Sequence, residues 1–201
     1  MSLNFCNNNS LSAITALPAS ISGGGLNLIS TTTISDSSSV TITSGIDSTY
    51  KLYILKLINI HPASDNAELE INFSIDGGSN YNVAKTACGF IAQHNEADNY
   101  ATMYYDAGID SNQATGDHVI HENIGGDNDE ALCGTIYFYN PSSTVHVKNY
   151  LTEFSSANGE PNNTMGRVDG YANTTSAINA LKIEMQSGNV QSGILKLYGV
   201  S

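Results

Sequence analysis

The densest run of side chains able to bind metal or move protons is Asp117-His118-Val119-Ile120-His121-Glu122-Asn123-Ile124-Gly125-Gly126-Asp127-Asn128-Asp129-Glu130. Asp127, Asp129 and Glu130 carry the hard oxygen donors that Ca2+ selects, and Asn128 with backbone carbonyls could complete a shell. Their spacing departs from the EF-hand loop, which needs Gly at its sixth position and Glu at its twelfth, so a solvated acidic turn is the expected state. His118 and His121 are three residues apart. That offset shares a face in a helix but puts the rings on opposite faces of a strand, and the flanking residues favour a strand, so no two-histidine metal clamp is expected. His94 has no partner identifiable in the sequence.

Nucleophile chemistry finds no support. The chain has no GxSxG elbow, no HExxH, no P-loop and no GxGxxG motif, and no acidic pair stands out for glycoside hydrolysis. Cys88 and Cys133 fall in or beside strand-like segments, where a thiol packs as a small hydrophobe. With Cys6 they make an odd set without CxxC spacing, which implies neither a disulfide framework nor a zinc site. The expectation is a protein that is not an enzyme and carries no cofactor. Tyrosine is the remaining functional hint. Tyr100, Tyr104, Tyr105, Tyr137, Tyr139, Tyr150, Tyr171 and Tyr198 supply amphipathic rings suited to subunit interfaces or to stacking on sugars.

The elements that would position these groups read as strands. Leu69, Ile71, Phe73 and Ile75 alternate with Glu68, Glu70, Asn72 and Ser74, the period of a strand with one wet face. Asp76-Gly77-Gly78-Ser79-Asn80 tolerates positive φ, and Tyr81-Asn82-Val83-Ala84-Lys85 resumes the alternation, which predicts a β-hairpin. Tyr50 to Ile60 is apolar on both alternating sets, as in a central strand covered on both faces, and His61-Pro62 stops it. Further strands are expected at Leu132–Tyr139, Thr144–Phe154, Ile178–Met185 and Gly193–Val200. Asn95 to Glu130 reads as long loops holding short strands at Met103–Tyr105 and His118–Ile120.

Composition agrees. Ser, Thr, Asn and Gly fill 81 of 201 positions and charged residues only 13%, which excludes a helical bundle. The hydrophobic share of 40% still supplies a core. An antiparallel β-sandwich follows, jelly-roll-like in topology, with an immunoglobulin-like arrangement as the alternative. Between Ser30 and Thr49, thirteen of twenty residues are Ser or Thr, and Gly23-Gly24-Gly25 precedes them. Residues 1–45 are therefore read as an extended arm for assembly and 46–201 as the sandwich.

Nineteen carboxylates against seven Lys and Arg give a net charge of −12. The cations are scattered singly, which disfavours nucleic acid and a membrane surface alike. No apolar run approaches the length of a spanning helix, and no secretory signal is expected at the start of the sequence.

Five blocks resemble a group of virion proteins of tailed phages, many of them aquatic: YKLYILKLINIHPASD from Tyr50, FSIDGGSNYN from Phe73, GTIYFYNPSS from Gly134, GYANTTSAINALKI from Gly170 and SGILKLYG from Ser192. The opening LSAITALP from Leu11 is also similar to the start of many such proteins. The resemblance implies a non-enzymatic β-sandwich made in the host cytoplasm and displayed on the virion, as head decoration or as a tail-fibre or receptor-binding component. It implies a homotrimer contacting other virion proteins, with host-surface glycans as further partners. A carbohydrate-binding module is the alternative, and a glycan-degrading enzyme the third reading.

Overall fold

The segment that is apolar on both alternating sets lies in the middle of the larger of two sheets. The computed structural model describes residues 25–201. Thirteen strands cover most of them: β1 (Leu26–Ser37), β2 (Ser39–Ile42), β3 (Leu52–Pro62), β4 (Ala67–Ser74), β5 (Lys85–Asn95), β6 (Ala101–Tyr105), β7 (Ser111–Ala114), β8 (His118–Ile124), β9 (Leu132–Tyr139), β10 (Lys148–Ala157), β11 (Asn162–Ala172), β12 (Ala180–Met185) and β13 (Val190–Val200). β3 sits between β13 and β9. Tyr53, Leu55 and Leu57 point from it into the core, but the other face is not covered as expected: Ile54 is buried there while Ile58 is 37% exposed.

The larger sheet runs β1-β13-β3-β9-β10-β11-β5-β6, with β7 also paired to β5, and the smaller runs β2-β12-β4-β8. Consecutive strands alternate between the sheets at β1/β2, β3/β4, β8/β9 and β12/β13. Four strands of each sheet, β1-β13-β3-β9 facing β2-β12-β4-β8, thus have the double Greek-key order of a jelly roll. The excursions β5–β7 and β10–β11 widen only the larger sheet. Phe73 of β4 stacks on Phe138 of β9 with centroids 4.9 Å apart and meets Tyr150 of β10 at 5.3 Å, joining the layers at the centre. Over the widened part, β8 and a 3-10 turn at Ala107–Ile109 replace the missing strands, and Ile109, Ile120 and Ile91 are fully buried there.

Several expectations change. The Ser/Thr-rich stretch is not an arm from Leu26 onward: β1 pairs with β13 along its length, β2 pairs with β12, and Ile34, Val40 and Ile42 enter the core. Hydroxyl side chains on its outer positions leave the alternation intact, so sequence polarity hid an ordinary edge strand. The expectation for residues 1–24 lies outside the described residues. The hairpin after β4 is absent as well. Gly77 and Gly78 do turn the chain with positive φ, but residues 75–84 cross to the other sheet, where β5 pairs with β11. Between Asn95 and Glu130 the two expected short strands are present and longer, as β6 and β8, and β7 adds a strand where loop was expected. β11, unforeseen in the sequence, bridges β10 and β5.

Candidate functional site at the loop end

Turns after β3, β5, β8, β10 and β12 gather at one end of the sandwich and are tied to one another. Ala63 N donates to Asn189 O at 2.9 Å, Glu96 N to Pro161 O at 2.9 Å, and Gly125 N to Ala157 O at 3.1 Å. Asp65 accepts from Gly126 N at 3.1 Å. Gly126 and Gly159 both press on Asp65, closer than any Cβ would allow, so small residues are required where these turns meet.

Two adjoining grooves open here, of about 690 and 490 Å3. They share Asn95, Asn158, Glu160 and Asn162. Asn158 and Asn162 are 6% and 9% exposed. Asn158 Oδ1 accepts from Glu160 N at 3.2 Å, and Asn162 Nδ2 donates to Glu160 Oε2 at 3.4 Å. The remaining amide donor of Asn158 and the remaining acceptor of Asn162 have no partner among the described residues. Tyr100, 47% exposed, flanks the second groove beside Gln93. Glu96, Asp127, Asp129, Glu130 and Glu160 line the first, and no Lys or Arg does. Anionic ligands are therefore repelled, while neutral, hydroxyl-rich ones meet many paired donors and acceptors.

The three Ca2+ candidates border this end without converging. Asp127 and Asp129 are exposed. The Glu130 carboxylate turns back onto its own loop, where Oε2 accepts from Asp127 N at 2.8 Å. Among the described residues the one group of three acidic side chains whose oxygens lie within 4.8 Å of one another is Glu70, Asp117 and Glu184, on the outer face of the smaller sheet. Lys182 lies among them, 2.9 Å from Asp117 and 2.7 Å from Glu184. Burial, then the neighbouring charges of Asp117, Glu184 and Glu68, push the Glu70 carboxyl up to about 7.

The two histidines correct another expectation. Bulges where β8 pairs with β4 turn both rings inward rather than to opposite faces. They do not share a site. His118 joins Ile109 O at 2.9 Å and the Tyr150 hydroxyl at 2.9 Å, whereas His121 joins Ser156 Oγ at 2.8 Å, near the far end of β10. Burial drives the His121 ring down to about 3, which keeps it neutral, and also lowers His118. His94 is exposed and pairs with Asp98.

No protein-family model matches the chain, and no curated protein matches it either. The likeness to phage virion proteins stands on the quoted sequence blocks alone.

One constellation had no sequence signal beyond a lysine in an alternating apolar stretch. Lys85, fully buried, contacts the buried Asn72 in the interior. Cys88 and Cys133 are exposed rather than packed, both on the outer face of the larger sheet.

Proposed function

We propose that this protein is a non-enzymatic structural component of a phage particle, a homotrimer displayed on its surface as head decoration or tail-fibre element. The observation that carries the reading is the outer face of the widened sheet. There Phe90 and Met165 line a shallow apolar cleft of about 410 Å3, with Met103, Tyr105 and Met165 exposed by 73%, 63% and 43%. Monomeric proteins rarely leave such a patch open, and a second copy of the chain is its natural cover. The phage-like blocks and the jelly-roll order support the same reading, and so does a surface poor in cations, which resists nonspecific adhesion. No helix among the described residues is long and apolar enough to cross a membrane.

Particles purified from an infected culture should contain the protein in multiple copies, and light scattering of the free protein should return a trimer. Absence from particles would defeat the reading, and a monomer would defeat its oligomeric part.

A second reading, carbohydrate binding, is favoured by one observation: the spare amide donor of Asn158 and the spare acceptor of Asn162 beside Tyr100. Amides supply the donor and acceptor pairs that sugar hydroxyls need, and an aromatic ring covers a sugar's apolar face. On a glycan array the wild type should retain a neutral glycan that Tyr100→Ala loses at unchanged melting temperature. An array without any retained glycan would remove this reading and leave the first intact.

A further inference from the structure

Asn72 and Lys85 meet inside the protein, where neither touches water. Asn72 lies in β4 of the smaller sheet and is 1% exposed; Lys85 opens β5 of the larger sheet and is 0% exposed. Lys85 Nζ donates to Asn72 Oδ1 at 2.8 Å and to Val83 O at 2.9 Å. The same Asn72 oxygen accepts from Phe73 N at 2.9 Å. On the other side of the carboxamide, Asn72 Nδ2 donates to Asp117 Oδ1 at 3.2 Å, to Tyr81 O at 2.9 Å and to Thr115 O at 3.2 Å. A primary amine thus faces a carboxamide whose oxygen holds a backbone N–H and whose nitrogen is held by a carboxylate.

We propose that Lys85 and Asn72 join in an intramolecular isopeptide bond, with Asp117 carrying the proton between them. The neutral amine of Lys85 attacks Asn72 Cγ, and the carbonyl electron pair moves onto Oδ1, where the Phe73 N–H stabilises the charge. One proton leaves the attacking nitrogen and reaches Nδ2 through the Asp117 carboxylate. The carbonyl re-forms, the Cγ–Nδ2 bond breaks, and ammonia departs. Nothing is oxidised or reduced, and Asp117 ends as it began.

Three features of the site serve this step. Burial lowers the Lys85 ammonium to about 8, against an opposing pull from Asp117, so a usable share of the amine is neutral. Burial also pushes the Asp117 carboxyl up, but hydrogen bonds from Lys182 and Asn72 outweigh it and keep the group in its proton-accepting form. Exclusion of water favours aminolysis over hydrolysis of the amide, and two groups held in contact react with the advantage of an intramolecular pair. The product would staple the two sheets covalently at β4 and β5, which suits a protein exposed to mechanical or proteolytic stress, although the chemistry holds whatever the protein's role.

The test is the mass of the purified full chain. Denatured wild type is expected to be lighter than its sequence by one ammonia. A protease that cuts after Tyr81 should leave the peptide bearing Asn72 and the peptide bearing Lys85 joined. Lys85→Met and Asn72→Ala should show full mass and two separate peptides. Asp117→Ala, which leaves both reacting residues in place, should show full mass with an unchanged strand spectrum by circular dichroism. Wild type of full mass would overturn the proposal without recourse to any variant. So would an ammonia loss confined to a linear peptide, as a succinimide at Asn72 would give.

Discussion

A Cβ at Gly166 would stand 2.2 Å from Nδ1 of His121, so the middle of β11 can hold only glycine opposite that ring. The ring cannot retreat. Ser156 holds Nε2 at 2.8 Å, and Phe154 packs against the imidazole at a centroid distance of 5.6 Å.

Gly166→Ala is therefore expected to destabilise the protein by about 1–3 kcal/mol, the usual cost of overpacking a closed core. Urea denaturation measures it. Combining it with His121→Ala should cost less than the two single changes together, because the cavity left by the ring receives the methyl group. Strict additivity would show that the two residues do not press on each other.

The same contact explains why β11 was illegible. Two of its inward positions are glycines, Gly166 because His121 fills the space above it and Gly170 because Tyr150 and Ala87 crowd it from the neighbouring strands, so the alternation lacks apolar bulk. β4, β9 and β13 face ordinary neighbours and were legible, and β3 was legible as a continuous apolar run. β1 and β2 were hidden by hydroxyls on their outer positions. The smaller sheet's bulges reversed the reading of His118 and His121. The Lys85–Asn72 pair was beyond reach for another reason: the residues meet only because the chain after Gly77-Gly78 crosses between sheets instead of forming a hairpin.

Removing residues 1–45 should abolish the cooperative melting transition. The deletion takes out β1 and β2 and with them Ile34, Val40 and Ile42, all buried. Each such side chain stabilises by about 1.5–3 kcal/mol. The sum is comparable with the whole stability of an ordinary domain, about 5–15 kcal/mol. A truncated chain that still melts cooperatively at the wild-type temperature would show that neither strand belongs to the folding unit.

The acidic turn is expected to bind Ca2+ weakly or not at all. Glu130 spends its carboxylate on Asp127 N, and Asp127 and Asp129 remain exposed. A site occupied at a hundred times its dissociation constant would add about 2.7 kcal/mol. Asp127→Asn with Asp129→Asn should instead melt like wild type in Ca2+ and in chelator. A chelator-sensitive drop in wild type that the double variant lacks would make the turn a structural metal site.

The last prediction concerns pH. Glu70 is pushed up to about 7 by burial and then by nearby carboxylates, and Glu122 is pushed up to about 7 by burial and then by Asp106. In the folded protein each keeps a proton that the unfolded chain gives up above 4.5. Their stabilising contribution is thus complete below 4.5 and is lost as the pH rises through about 7. His121 works in the opposite sense, since its ring falls to about 3 when folded: its contribution is present above 6.5 and is lost as the pH falls toward 3. The two effects overlap in wild type, so a single melting curve against pH mixes them. Comparison with Glu70→Gln and Glu122→Gln combined separates them, because both proteins keep His121. From 4.5 to about 7 the wild type should lose more stability than the double variant, and above about 7 the gap should grow no further. Parallel curves across that range would mean that the two carboxyls ionise as they do in water.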